Sequence, residues 1–187
     1  IKNGELAAVK SLINAVCGVL GITLMLLTGL VVWASPIVSV VFAPGFYNEP
    51  EKFALTVDLL RITFPYLFLI SMTGFAGAIL NSYDRFLVPA FTPVLLNLSL
   101  IGFAVGVSPL LDQPVFALAW GVLVAGCAQL LFQLPFLARL QLLPRPTINW
   151  HHPGVRKILR LMLPAIFGVS VSPVSYTHLT LPTTLSV

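Results

Sequence analysis

The sequence contains few charged side chains. Of its 187 residues only 9% are Asp, Glu, Lys or Arg, whereas 58% are hydrophobic and the mean hydropathy is +0.99. A soluble domain carries roughly 25% charged residues, so this chain has too few to cover a surface that faces water. The scarcity of charge excludes a soluble globular protein and predicts a chain that lies in a lipid bilayer.

Cysteine is also scarce, and the sequence motifs typical of several enzyme classes are absent. The two cysteines, Cys17 and Cys127, each lie in an apolar run, which argues against both a disulfide and a metal site. The chain has no His-Glu-x-x-His motif, no Gly-x-Ser-x-Gly nucleophile elbow and no Gly-rich phosphate loop that ends in Lys-Ser or Lys-Thr. We therefore expect no enzyme activity, no catalytic residue, no metal site and no cofactor.

Long uncharged segments dominate the sequence instead. A helix that crosses a membrane needs about 20 predominantly apolar residues, and the chain has four such segments and the beginning of a fifth. We predict an all-α, polytopic membrane protein with four complete transmembrane helices and the start of a fifth. The predicted helices cover residues 11–34, 58–81, 88–108, 114–138 and 156–172.

The cations are divided unequally between the two sides that these helices imply. Eight of the ten Lys and Arg residues fall on the side of the N-terminus, and only Lys52 and Arg61 fall on the other. Because cytoplasmic loops are enriched in Lys and Arg, we predict that the N-terminal end and the loop of residues 139–160 are cytoplasmic. The net charge of +4 is then a signal of topology, and we expect no nucleic-acid partner.

Both ends of the sequence have an unusual character. The first ten residues lack an initiator methionine and the order of regions found in a signal peptide, so we expect the chain to begin inside a longer protein. Residues 173–187 are rich in Thr and Ser, and their first part resembles one reading frame of a transposon end used in sequencing libraries. We interpret them as a non-native tail, the alternative being a native loop, and we take residues 1–172 as the transmembrane unit.

No Asp, Glu, Lys or Arg lies deep in a predicted span, so the polar groups of the interior are amides and hydroxyls. Gln129 and Gln133 are four residues apart and share a helix face, which makes them the best pair to line a polar groove. Asn97 is a further polar residue within a span. The alternative for each is a plain hydrogen bond between helices.

Small residues at four-residue spacing predict where helices pack closely. Gly102 with Gly106, and Ala117 with Gly121, each place small side chains on one helix face, so that a neighbouring backbone can approach. These patterns favour a helix bundle and carry no information about substrate.

The segment between the second and third spans combines a cation with prolines. We expect Arg85 at headgroup level, where a guanidinium can pair with phosphate. The alternative is a simple anchor on the cytoplasmic side. Pro89 and Pro93 remove backbone donors at the start of the third span. We interpret them as hinge residues of a gate, the alternative being a plain bent start of the helix.

Several motifs carry a family resemblance that extends over nearly the whole chain up to Ser172. They are Leu60-Arg-Ile-Thr-Phe-Pro-Tyr66, Ala78-Ile-Leu-Asn-Ser-Tyr-Asp-Arg-Phe86, Val88-Pro-Ala-Phe-Thr-Pro93, Ala117-Leu-Ala-Trp-Gly121 and Leu163-Pro-Ala-Ile-Phe-Gly-Val-Ser-Val-Ser172. In this order they resemble the MurJ/MviN family of bacterial lipid II flippases.

The resemblance implies a transporter of the multidrug/oligosaccharidyl-lipid/polysaccharide exporter superfamily, located in the bacterial inner membrane. Such proteins have two helical lobes around a central cavity, and alternating access moves the undecaprenyl-diphosphate-linked peptidoglycan precursor, lipid II, from the cytoplasmic to the periplasmic leaflet. This chain resembles helices three to six of the first lobe and the start of the seventh, so we expect the fragment alone to be inactive. The implied partners are the lipid-linked precursor, membrane lipids and the cell-wall synthesis machinery.

The resemblance also bears on the candidate site. Asn81-Ser-Tyr-Asp-Arg85 matches the family's cytoplasmic turn between its fourth and fifth helices, whereas no position here matches the arginines regarded as binding the diphosphate. The full set of candidates for substrate binding or gating is Asn81, Arg85, Asn97, Gln129 and Gln133. The alternative functions are another exporter of the superfamily, such as a drug/cation antiporter or a polysaccharide-lipid flippase, and a non-catalytic membrane scaffold.

Overall fold

The computed structural model describes residues 3–46, 48–162 and 164, and throughout this part the chain forms helices and turns without a strand. The helices are α1 (Asn3–Trp33), α2 (Ser35–Phe42), α3 (Pro50–Thr63), α4 (Pro65–Ser82), α5 (Leu87–Gly106) and α6 (Val115–Arg139), with short 3-10 turns at Pro44–Phe46 and Ser108–Leu110. A further helix, α7, is described over residues 153–162. The predicted tail of residues 173–187 and most of the predicted fifth span lie outside the described residues.

Four stretches are long and apolar enough to cross a membrane, which confirms the all-α polytopic prediction. They are Glu5–Trp33, Pro50–Ser82, Leu87–Leu110 and Val115–Arg139. The second stretch joins α3 and α4 and begins earlier than the predicted residue 58, because the charged segment before the apolar run is also helical.

A proline bends this second stretch without ending it. Pro65 has no N–H to donate to the Arg61 carbonyl, yet Phe64 keeps helical dihedral angles (φ −62°, ψ −35°). The Phe64 N–H still donates to the Leu60 carbonyl at 2.9 Å. The helix therefore continues through the bend from α3 into α4.

The helices expose many large apolar side chains and bury several polar ones, which is unusual for a soluble protein. Leu87 is 87% exposed, whereas Gln129 and Gln133 are 2% and 1% exposed. Lipid is as apolar as leucine, so packing in a membrane depends on close backbone approach and on interhelical hydrogen bonds. The exposed apolar surface is the surface expected to contact lipid.

Close approach occurs at some of the predicted small residues and not at others. A Cβ at Gly121 would lie 3.0 Å from the Phe103 Cβ of α5, and Ala117 is fully buried. Gly102 and Gly106, by contrast, have no atom of the described chain within 4 Å of an added Cβ. The small-residue prediction therefore holds for α6, whereas no described helix packs on the face of α5 that carries Gly102 and Gly106.

The helix ends at the basic end of the bundle meet in one apolar cluster. Ile13 of α1, Leu80 of α4, Leu137 of α6 and Leu142 beyond α6 are buried together there. α6 stops in a Schellman motif: the Leu142 N–H donates to the Leu137 carbonyl at 3.0 Å, and Gln141 takes the left-handed conformation (φ 57°). The N-terminal half of α1, the α4–α5 turn and the C-terminus of α6 thus share one end.

Gly126 is the glycine on which the packing of α4 against α6 depends. An added Cβ would lie 2.8 Å from Tyr66 Cδ2 and 3.0 Å from Leu69 Cβ. We expect Gly126→Val to destabilise the full-length protein by about 1–3 kcal/mol through overpacking. Gly102→Val is the matched control, because open space surrounds that residue in the described chain. Thermal unfolding in detergent measures both variants, and equal midpoints would contradict the packing described.

Candidate functional site

The α4–α5 turn holds Arg85 in a fixed backbone position. Asp84 is left-handed (φ 58°), the Asp84 N–H donates to the Asn81 carbonyl at 3.2 Å, and the Arg85 N–H donates to the Leu80 carbonyl at 3.0 Å. These two bonds form a Schellman motif that ends α4 and satisfies its last carbonyls. The Arg85 side chain is exposed, so a fixed backbone presents an accessible guanidinium at the basic end.

An aromatic cavity of about 730 Å³ lies directly beside this turn. The rings of Phe91 and Phe132 are 5.5 Å apart between centroids, and Phe132 and Phe136 are also 5.5 Å apart. The Arg139 guanidinium carbon lies 5.8 Å from the centre of the Phe136 ring, within cation–π range. The remaining lining residues are Asp84, Arg85, Phe86, Leu87 and Val88. The cavity therefore combines an apolar wall with charged groups, an arrangement that suits an amphiphilic ligand.

Pro93 lies inside α5, where a missing donor is expected to bend the helix, and two hydrogen bonds hold this region. Pro93 has no N–H for the Pro89 carbonyl, and the Thr92 hydroxyl donates to that carbonyl at 2.8 Å instead. Gln129 Nε2 of α6 then donates to the Thr92 carbonyl at 2.8 Å. The predicted hinge prolines are thus connected to α6 through a residue that lies between them.

The two glutamines lie inside the helix bundle. Gln129 Oε1, Gln133 Oε1 and Thr73 Oγ1 are buried and have no hydrogen-bond partner among the described residues. A Cβ added at Gly77 of α4 would lie 3.2 Å from the Pro89 Cβ and 3.8 Å from Gln133 Oε1. Gln133 therefore lies where α4, α5 and α6 meet. Within the described chain Gln129 and Gln133 lie in the interface between these helices, which we call the glutamine seam.

The predicted residues are only partly brought together. Gln129 and Gln133 face the start of α5, and Arg85 lies in the turn that leads into it. Asn81 is exposed in the last turn of α4, and Asn97 is exposed farther along α5. In the described chain the α4–α5 turn therefore lies near the glutamine seam, whereas Asn97 lies away from both.

Sequence reasoning did not include Thr92 or Asn14 among the candidate site residues. The position of Thr92 directly before Pro93 in an apolar helix was a usable signal, because a hydroxyl there can reach the carbonyl that proline leaves free. Asn14 accepts two backbone hydrogen bonds from residues more than 130 positions away, and no local pattern reveals such a contact. In the part of the chain that is described, no three His, Cys, Asp or Glu side chains are grouped to hold a metal ion.

Comparison with known proteins gives a consistent likeness. The family model described as "Lipid II flippase MurJ" matches residues 2–185. The "Probable lipid II flippase MurJ" of Buchnera aphidicola subsp. Acyrthosiphon pisum is 41% identical over 167 residues, which are 89% of this chain and 33% of that protein. The protein of the same description from Vibrio cholerae serotype O1 is 42% identical over 180 residues, 92% of this chain and 34% of its own length.

A third relative, the "Lipid II flippase MurJ" of Burkholderia cenocepacia, is 41% identical over 172 residues, 90% of this chain and 33% of that protein. The chain therefore spans about a third of the length of the curated relatives that it matches.

The Thr92 hydroxyl is expected to stabilise the bend in α5. Thr92→Val keeps the shape of the side chain but leaves the Pro89 carbonyl, which lies in the apolar helix, without its donor, so we expect a loss of about 1–3 kcal/mol in the free energy of unfolding. Thr92→Ser keeps the hydroxyl and serves as the control. Unfolding of the full-length protein in detergent measures both, and equal stability of the Val and Ser variants would contradict the role of this bond.

Proposed function

The chain belongs to the lipid II flippase MurJ family, and from this premise we propose that it forms part of the first lobe of a two-lobe lipid II flippase. In the full-length protein, alternating access would move lipid II from the cytoplasmic to the periplasmic leaflet of the bacterial inner membrane. The protein acts as a transporter and breaks no covalent bond of its substrate.

The aromatic cavity beside Arg85 is the observation that carries this proposal. Lipid II joins an anionic diphosphate to a long apolar chain, and a cavity of about 730 Å³ with four phenylalanines and an arginine offers complementary groups. A guanidinium suits phosphate because it presents several donors in a planar fork. We propose that Arg85 contacts the diphosphate as the precursor leaves the inner leaflet.

The bent start of α5 supports a moving role for the same region. The Thr92 hydroxyl replaces the donor that Pro93 lacks, and Gln129 binds the Thr92 carbonyl and so connects this region to α6. Irregular helices at membrane depth are a common feature of transporters. We propose that Pro89 and Pro93 form the hinge. Gln129 and Gln133 contact it from the glutamine seam and limit its movement. Asn81 lies at the turn that acts as the gate. Asn97 would face the other lobe.

The orientation follows from the positive-inside rule. The N-terminal half of α1, the α4–α5 turn and the segment after α6 share the basic end, which we place in the cytoplasm. The cell-wall synthesis machinery would then be a partner on the periplasmic side, where the flipped precursor is consumed. A drug/cation antiporter is disfavoured because no carboxylate lies deep in a span.

Reconstitution tests the function directly. We expect the full-length protein in proteoliposomes to make lipid II that was confined to the outer leaflet inaccessible to an enzyme added outside, and we expect its gene to restore growth of cells depleted of their flippase. Protein-free liposomes are the control. Lipid II that stays fully accessible, together with failed rescue at normal protein levels, would contradict the proposal.

Arg85 has its own test. We expect Arg85→Ala in the full-length protein to lower the rate of lipid II transport about tenfold, as the loss of one charge-assisted contact of about 1.4 kcal/mol predicts. Arg85→Lys should retain part of the rate, because it keeps the charge and loses the planar fork. Lys157→Ala, an exposed cation of α7, is the control. Normal transport by the Arg85→Ala protein would remove this residue from the site.

A further inference from the structure

The segment that joins α6 to α7, residues 140–152, lies along α1 and is anchored there by one side chain. The Arg145 N–H donates to Asn14 Oδ1 at 2.7 Å, and the Thr147 N–H donates to the Asn14 carbonyl at 3.1 Å. Asn14 therefore binds the connecting segment with both its side chain and its backbone. The contact joins parts of the chain that are 131 residues apart.

Gly18 makes this contact sterically feasible. A Cβ at Gly18 would overlap the carbonyl group of Thr147, so any larger residue would push the connecting segment away from α1. Gly18 lies one helical turn beyond Asn14. The connecting segment therefore packs directly against α1 at Gly18, where a larger side chain would leave no room for it. We call residues 140–152 the seated segment.

Two prolines make the seated segment rigid around Arg145. Pro144 and Pro146 flank it, and proline fixes its own φ while restricting the residue before it. The hydrogen bond from the Arg145 N–H to Asn14 adds a third constraint. The backbone that carries this arginine is therefore held in one position beside α1.

The guanidinium on this fixed backbone has no acidic partner in the described part of the chain. The ion pairs found there join Lys52 to Glu49 and Arg61 to Asp58, on the other side of the predicted membrane. The Arg145 side chain is exposed and makes no hydrogen bond to the described residues. It is free to bind an anion at the basic end.

The residues that precede and follow Arg145 line two apolar cavities. Pro146 and Ile148 line one of about 360 Å³ with Gly21, Ile22 and Met25 of α1. A second cavity, also of about 360 Å³, is lined by Leu143 and Pro144 together with residues of α4 and α6. A ligand with a phosphate group next to a hydrocarbon chain matches this combination of a fixed cation and apolar walls.

We propose that Arg145 is a second contact for the diphosphate of the lipid-linked precursor, and that Asn14 is the positioning residue that holds it. This proposal rests on the proposed function, since it assigns a further residue to the same substrate. Arg145 acts on the cytoplasmic side, before or as the precursor reaches the α4–α5 turn. The apolar cavities receive the first part of the polyprenyl chain.

The test measures binding of undecaprenyl diphosphate to the full-length protein in nanodiscs of zwitterionic lipid. We expect Arg145→Ala to weaken binding about tenfold and Arg145→Lys to weaken it less. Arg156→Ala is the matched control, because Arg156 is an exposed arginine at the same end that lies outside the seated segment. Undecaprenol, which lacks the phosphates, should bind the wild-type and Arg145→Ala proteins equally.

A double-mutant cycle tests the role of Asn14. We expect Asn14→Ala to weaken binding about threefold in the wild-type background and to have no effect in the Arg145→Ala background, since coupled residues are not additive. A merely structural role would weaken binding equally in both backgrounds. That outcome would overturn the positioning role of Asn14.

Three results separate this proposal from the proposed function. Equal binding by the Arg145→Ala and Arg156→Ala proteins would overturn the assignment of Arg145. Displacement of the probe by phosphatidylglycerol as effective as by undecaprenyl diphosphate would overturn the assignment of its ligand. A wild-type protein that binds the probe with the expected dependence on Arg145, and yet transports no lipid II, would support this proposal and contradict the proposed function alone.

Discussion

Every backbone polar group in the hydrocarbon core of a membrane must find a partner within the protein, because no water is available there. This constraint explains the arrangement around α5. Pro93 deprives the Pro89 carbonyl of its helical donor, the Thr92 hydroxyl replaces that donor, and Gln129 of α6 binds the Thr92 carbonyl. The bend of one helix is thereby linked to the position of another, which is the property that a moving gate requires.

Charged side chains are costly in the same hydrocarbon core, which favours their placement at the two ends of the bundle. At the basic end, Arg85 and Arg145 lie on short non-helical segments whose backbones are fixed, one by a Schellman motif and the other by Asn14 and two prolines. Both side chains remain exposed; Arg85 lines an apolar cavity, and the residues on either side of Arg145 line two others. Within the described residues neither guanidinium has an acidic partner. Rigid backbones that present such groups near apolar walls are well suited to a lipid that carries a diphosphate, since little ordering of the protein remains when the lipid binds.

Hydropathy alone was enough to predict four spans, because the span length is a property of the bilayer. The partners of individual side chains were not predictable in this way. The spacing of Gln129 and Gln133 correctly placed them on one helix face, but the carbonyl that Gln129 binds is within reach only because α5 packs against α6 at that position. Gly102 matched a packing motif and meets no described helix, whereas Gly126 was not singled out and contacts α4. Such contacts depend on tertiary structure rather than on local pattern.

Labelling of single cysteines tests most directly whether the basic end of this chain lies in the cytoplasm and the opposite end in the periplasm. In a full-length protein with Cys17 and Cys127 replaced by Ala, one new cysteine is placed at Ser82 beside the basic turn or at Asn48 near the opposite end. A maleimide that cannot cross membranes should label Asn48→Cys on cells whose outer membrane alone is permeabilised, and Ser82→Cys only after the inner membrane is also opened. Labelling of Ser82→Cys before the inner membrane is opened would contradict the account.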